Sequence, residues 1–369
     1  MHPIFIALAV LVLFGAHLAR LPARGGFWQA SGAFLLGLVA TAVMLRLVFG
    51  GIGLGRTTDF DRVVNAAIET ARRDPAPLIV FTGASYSRNA LDDERLTAAL
   101  RARGHPHRAI NLSLEAASML EREAHLRAFV SRSGRVPDIV LIEVAEDFDR
   151  RVAQFFDNSK FSARGIEQFG PAETAWTLRG LAGGACPGIS GCLKDAVFLG
   201  AHTGLNAANI GLGAKGQTPD KAGALASYDP QGEPREEIDL MDRGVGLTGR
   251  PEVSPLQGPT WARAFRETWR SRLAREGVDR VGYYFPPVID AGLRAYAEGL
   301  CRGELSGHVC IAPQDEKLLS ALDADVWFDR SHLLDPGAEI YTAWLADRLE
   351  RSGILSGEEA TPAAEARQP

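Results

Sequence analysis

Between residues 59 and 351, short apolar runs rich in β-branched residues alternate with longer segments whose apolar positions recur every three or four residues. The short runs read as strands buried on both faces, the longer segments as amphipathic helices. Asp59–Arg73 has helical spacing and leads into the run Leu78–Thr82, Leu-Ile-Val-Phe-Thr. Gly83 and Ala84 then form a turn of minimal bulk, Ser85 follows, and a helical pattern runs from about Leu91 to Arg103. Arg108–Leu112 is the second predicted strand, Ala116–Ser131 a helix, and Asp138–Val144 the third strand. After an interval come the helix Thr260–Glu276, the strand Val278–Phe285 (ended by Pro286 and Pro287) and the helix Asp290–Leu300. A strand at His308–Ala312 and a last helix at Asp335–Arg351 complete the series. Strands alternating with helices predict an α/β fold with a parallel sheet and right-handed crossovers.

Asp149–Pro259 breaks this rhythm. It holds a predicted helix at Ala172–Leu181 and long Gly/Pro/Asp-rich stretches such as Thr218–Glu237. It reads as an insertion, either covering the edge of the sheet as lids and binding elements do or looping out with no specific role. The Glu/Ala/Pro-rich tail after Ser356 predicts disorder. There is no internal repeat.

Two apolar stretches precede the alternating region. Pro3–Leu18 carries no formally charged side chain apart from His17, and Ala30–Phe49 is interrupted only by Arg46, near its end. Each approaches the length of a bilayer span, and Arg46 can snorkel to the headgroups. No Lys or Arg precedes the first stretch, so the n-region of a cleaved signal peptide is missing. The expectation is a transmembrane hairpin (residues 1–55, helices about 3–18 and 30–49), then a domain over 56–354 with an insertion at about 149–259, then the tail 355–369. The turn Ala19–Gln29 carries Arg20 and Arg24 and no acid, which assigns it to the cytoplasm. The domain then lies on the periplasmic or external side of the inner (cytoplasmic) membrane. A buried helical hairpin is the alternative reading.

Composition changes this picture little: 46% of residues are hydrophobic, 23% charged, and the net charge of −5 gives no reason to expect nucleic acid. The four cysteines matter more. They fall as two local pairs, Cys186 with Cys192 and Cys301 with Cys310, without CxxC spacing or a histidine cluster. Outside the cytoplasm they read as two short-loop disulfides, each worth about 2–3 kcal/mol. His105-Pro-His107 lacks a third ligand in register and reads as a solvated turn. Trp261, Trp269 and Trp327 could line a sugar site, but core packing is the simpler role.

The chemistry lies at the two ends of the α/β region. Strand, tight turn, serine, helix is how an α/β protein presents a nucleophile at the carboxyl edge of its sheet. The backbone N–H of Ser85 would sit near a helix start, where an oxyanion can be held. Near the other end the chain reads Val326-Trp-Phe-Asp329-Arg-Ser-His332, followed by the last helix. An acid three residues before a histidine lets the carboxylate fix one imidazole nitrogen while the other takes the serine proton.

With these blocks the chain resembles the SGNH (GDSL-type) hydrolases. That resemblance implies a three-layer, flavodoxin-like α/β/α domain with Ser85, Asp329 and His332 as catalytic residues and no cofactor or metal. Gly83-Ala84-Ser85-Tyr86-Ser87 resembles the first block, with Ala84 where Asp is usual. Asn111-Leu-Ser-Leu-Glu-Ala116 resembles the second, with Ala116 where the oxyanion-hole glycine is expected; a backbone N–H survives that change. The third block departs: Ala145-Glu146-Asp147-Phe148 stands where Gly-x-Asn-Asp is expected, and an ionised carboxylate cannot donate to an oxyanion. The implied oxyanion hole is the N–H of Ser85 and of Ala116, with Asn111 or Asn89 substituting for the missing asparagine. Arg88, beside the serine, reads either as a contact for an anionic substrate or as a solvent-facing side chain, and Asp147 as a further substrate contact. The plan also resembles membrane-anchored periplasmic partners of MBOAT-type acyltransferases. It implies a glycan acceptor or ester substrate and a separate multispanning protein that supplies acyl groups. The competing expectation is a catalytically degenerate SGNH domain that binds glycan or scaffolds an export complex.

Overall fold

The computed structural model describes residues 26, 28–29, 31–37, 59–114, 117–145, 171–183, 185–186, 188–207, 253–312 and 316–356. Numbered from residue 59, the elements are α1 (Asp59–Arg73), β1 (Leu78–Thr82), α2 (Ser85–Ala90), α3 (Asp93–Ala102), β2 (Arg108–Asn111), α4 (Met119–Ser133) and β3 (Ile139–Glu143). They continue as α5 (Pro171–Ala182), α6 (Gly188–Ala207), α7 (Thr260–Arg275), β4 (Arg280–Tyr284), α8 (Ala291–Arg302), β5 (Cys310–Ile311), α9 (Glu316–Ala321) and α10 (Asp335–Arg351). A 3-10 turn at Ala324–Val326 precedes α10.

The five strands form one sheet in the order β2-β1-β3-β4-β5, every pair parallel. That is the flavodoxin-like order, with its switch point between β1 and β3, where ligands of open α/β sheets bind. Alternation along the strands feeds two cores. Leu78, Val80, Ile110, Val140 and Ile142 pack with residues of α1, α4, α7 and α8, whereas Ile79, Phe81, Ala109, Ile139 and Leu141 pack with α3, α9 and α10. All five β1 residues are buried, as the unbroken apolar run predicts.

Several expectations need correction. One helix was expected from Leu91 to Arg103; the helix instead starts at Ser85, stops at an extended Leu91, and a second begins where the Asp92 side chain accepts the Arg95 N–H at 2.9 Å. Gly188–Ala207, within the segment read as an insertion and assigned no element there, is a 20-residue helix despite its glycines. α5 is tied to the neighbouring α7 by an edge-on contact between Trp176 and Phe265, with ring centroids 5.2 Å apart. His107 is buried rather than solvated, although His105 beside it is partly exposed. All three tryptophans are core residues.

The first apolar stretch, residues 3–18, lies outside the described residues, and 30–49 is described only over 31–37. Among the described residues no helix is long and apolar enough to cross a membrane. The tail after Ser356 and the stretch 218–237 also lie outside them. Both expected cysteine pairs are joined, with Cα atoms 5.1 Å apart for Cys186–Cys192 and 5.5 Å for Cys301–Cys310.

Candidate active site

Ser85 is the first residue of α2, directly beyond the carboxyl end of β1, and is half-buried. The turn before it is tight at position 83: a Cβ there would lie 2.6 Å from Glu143 Oε2 and would strike the Ser87 side chain, so either must shift to admit one. α2 packs against α10, the helix that follows the Asp329–His332 segment.

That segment is built as a tight loop. Trp327 and Leu333 form an isolated antiparallel bridge, the Phe328 N–H donates to the His332 carbonyl at 2.9 Å, and the Leu334 N–H donates to the Val326 carbonyl at 2.8 Å. The buried Trp327 anchors it from below, its indole N–H donating to the Leu322 carbonyl at 3.2 Å. Gly337 is needed where α10 starts, because a Cβ would sit 2.8 Å from the Val326 carbonyl oxygen.

The loop holds acid and imidazole in register. Asp329 Oδ1 accepts the N–H groups of Ser331 at 2.7 Å and His332 at 2.8 Å, and Oδ2 lies 2.7 Å from His332 Nδ1. Burial alone would raise the Asp329 pKa, but the hydrogen bond and charge of His332 and the two backbone N–H groups outweigh it. The carboxyl is held below its usual range. With Nδ1 engaged, Nε2 is the nitrogen that can exchange a proton with another group. The Tyr86 ring, one residue after Ser85, lies 5.7 Å from the His332 ring and 6.3 Å from the Phe285 ring. Residues expected to work together from opposite ends of the chain therefore share one rim of the sheet.

Beneath this rim is a polar cluster that the sequence reading missed. Glu143, the last residue of β3, is fully buried; its Oε2 accepts the N–H of Ala84 at 3.1 Å and of Ser87 at 3.2 Å, together with the Ser87 hydroxyl. Its Oε1 pairs with Arg122 of α4 at 2.8 Å, and Arg122 also donates to the carbonyls of Ala117 at 3.1 Å and Glu143 at 3.0 Å. Tyr284 and Tyr341 lie close by: burial and then the Glu143 charge push the Tyr284 phenol upward, and burial, then Tyr284 and Glu143, push that of Tyr341, so both stay neutral. Breaking a buried pair of this kind by removing one partner costs about 3–5 kcal/mol. A glutamate ending an otherwise apolar strand was the available signal, since burial on both faces leaves such a carboxylate nowhere to go unpaired.

The remaining expected residues divide. Asn111 does not serve as an oxyanion donor: its Nδ2 donates to the carbonyls of Ser87 at 3.2 Å and Leu91 at 3.0 Å, which uses both hydrogens, and its Oδ1 accepts the Ser113 N–H at 3.1 Å. Asn89 is buried in α2, and neither carboxamide atom is hydrogen-bonded among the described residues. Arg88 is half-buried on α2. Ala116 and Asp147 lie outside the described residues, as does the rest of the third block from Glu146 onward. Among the described residues there is no group of His, Cys, Asp and Glu that could hold a metal.

Fold and site together define an α/β protein with a five-stranded parallel sheet and a histidine–aspartate pair at its carboxyl rim. No family model matches the chain, and no curated protein sequence matches it.

Proposed function

We propose that this protein is a membrane-anchored serine O-acyltransferase or acyl esterase of the SGNH type, acting on an extracytoplasmic polysaccharide or cell-wall glycan. The observation that carries the reading is the Asp329–His332 pair beside Tyr86, on the rim where Ser85 leaves β1. In the first half-reaction Ser85 Oγ attacks the acyl carbonyl and its proton passes to His332 Nε2. The tetrahedral intermediate collapses, the donor's alcohol leaves with that proton, and an acyl-serine ester remains. In the second half a sugar hydroxyl, or water in an esterase, attacks the ester, gives its proton to His332, and Ser85 recovers it. The N–H groups of Ser85 and Ala116 are the proposed oxyanion donors, and Arg88 and Asp147 the proposed substrate contacts. The anchor is the pair of apolar stretches at 3–18 and 30–49, with the domain outside the cytoplasmic membrane and a multispanning partner delivering acyl groups.

Time-resolved mass spectrometry with an activated acetyl ester tests this reading. A transient +acetyl adduct on Ser85 that moves to an added oligosaccharide supports the transferase, and one released only to water supports the esterase. No adduct with any donor would end both. The commitment of Asn111 to backbone carbonyls favours a second reading, a glycan-binding or scaffold domain without turnover. Full cellular function in a Ser85→Ala strain would establish that one instead.

A further inference from the structure

The turn that carries Ser85 contains a second serine, and the structure treats the two differently. Ser87 is fully buried and its hydroxyl is spent on Glu143, whereas Ser85 is half-buried and its side chain makes no hydrogen bond among the described residues. The backbone is divided in the same way. Glu143 takes the N–H groups of Ala84 and Ser87 on either side, and the N–H of Ser85 has no partner among the described residues. A single carboxylate thus collects three donors from one turn, while Arg122 neutralises it from the opposite side. A buried ion pair is weak evidence for net stability, and what this one visibly does is gather the donors of the turn. An apolar residue at 143 would leave two turn N–H groups without acceptors.

We infer that Glu143, clamped by Arg122, is the positioning residue for Ser85: it fixes the turn so that Ser85, and not Ser87, faces His332. This rests on reading Ser85 as the nucleophile. Glutamine is the informative replacement because it nearly preserves shape but carries a donor on one end. Whichever way the amide turns, its NH2 faces either Arg122 or the N–H groups of the turn, and one side loses its acceptor. In Arg122→Gln with Glu143→Gln, the new carboxamide at 122 can accept that NH2, and the oxygen at 143 can again face the turn.

The test uses the full chain in detergent, with hydrogen exchange over residues 80–90, labelling by a fluorophosphonate read as kinact and KI, and mass-spectrometric location of the label. Glu143→Gln is expected to lower kinact by roughly 10- to 100-fold with little change in KI, the penalty of a misplaced reacting group. Exchange of the Ala84 and Ser87 amides should speed up at least 10-fold, and the double variant should recover part of both. A single variant with wild-type kinact and wild-type exchange would overturn the inference. So would equal loss in single and double variants that both melt as cooperatively as wild type. If Glu143→Gln does not fold, the double variant decides: near-wild-type values support the inference, and a full loss in a folded protein refutes it. If wild type takes no label at Ser85, the enzymatic reading fails by itself, and the exchange rates still decide whether Glu143 holds the turn.

Discussion

At the scale of single residues, burial decides what each polar group can do. Asp93 is almost fully buried, and loss of solvation raises its carboxyl to about 7, against the weaker pull of the Asn111 N–H and the Arg108 charge. Because the folded state then holds a proton that the unfolded chain releases near pH 4, stability from this group is complete below that value. It is lost as pH rises toward 7. Asp93→Asn keeps an acceptor for the Asn111 N–H and cannot ionise. Thermal melts should therefore show it matching wild type near pH 4 and exceeding it at pH 8 by at least about 3 °C, the shift that 1 kcal/mol gives in a domain of this size. A wild-type melt at pH 8 would show that Asp93 is not the origin of the slope. Gly83 makes a different residue-scale claim. Gly83→Ala places a methyl against Glu143 and Ser87, so it should lower stability by about 1–3 kcal/mol in denaturant titration and slow labelling of Ser85 as well. An unchanged midpoint would contradict the packing described for the turn.

At the scale of elements, legibility followed from how local the determining forces are. The strands were legible because a run such as Leu78–Thr82 has no polar face to offer solvent, and α10 was placed at its observed bounds, Asp335–Arg351. The start of α2 at Ser85 was not legible, since a six-residue helix has too few positions to show a period. The break at Leu91 depends on Asn111 capturing the Ser87 and Leu91 carbonyls from another strand. Within the candidate site, Ser85, Asp329 and His332 were read from the strand–turn–serine order, the Asp-x-x-His spacing and the resemblance to the SGNH hydrolases together. Glu143 could not be given a role, because its partners come from α4 and the β1 turn and are contiguous only in space. α4 shows the local kind of signal: Ser118 accepts the Glu121 N–H at 3.3 Å and Glu121 accepts the Ser118 N–H at 2.8 Å, a complete capping box. Ser118→Ala should cost about 1 kcal/mol in urea titration, and because α4 carries Arg122 the loss should appear in global unfolding. A cost within error would mean the cap contributes nothing to this helix.

At the scale of the whole molecule, the sheet brings residue 85 and residue 332 to one rim, and the two disulfides bear on where that rim is found. None of the four cysteines is free. Protein isolated without reductant should titrate no thiols even when unfolded, and reduction should lower its melting temperature, each short loop being worth about 2–3 kcal/mol. Four titratable thiols in material taken directly from cells would contradict an extracytoplasmic domain. The central claim, that Ser85 and His332 act as one unit, meets its most direct test in the rate at which a fluorophosphonate modifies Ser85 in wild type and in His332→Ala. The account predicts a single adduct on Ser85 in wild type and a fall of at least about 1000-fold in the variant, the order of loss when a serine is deprived of its base. Equal rates in the two proteins, or an adduct on Ser87, would contradict it.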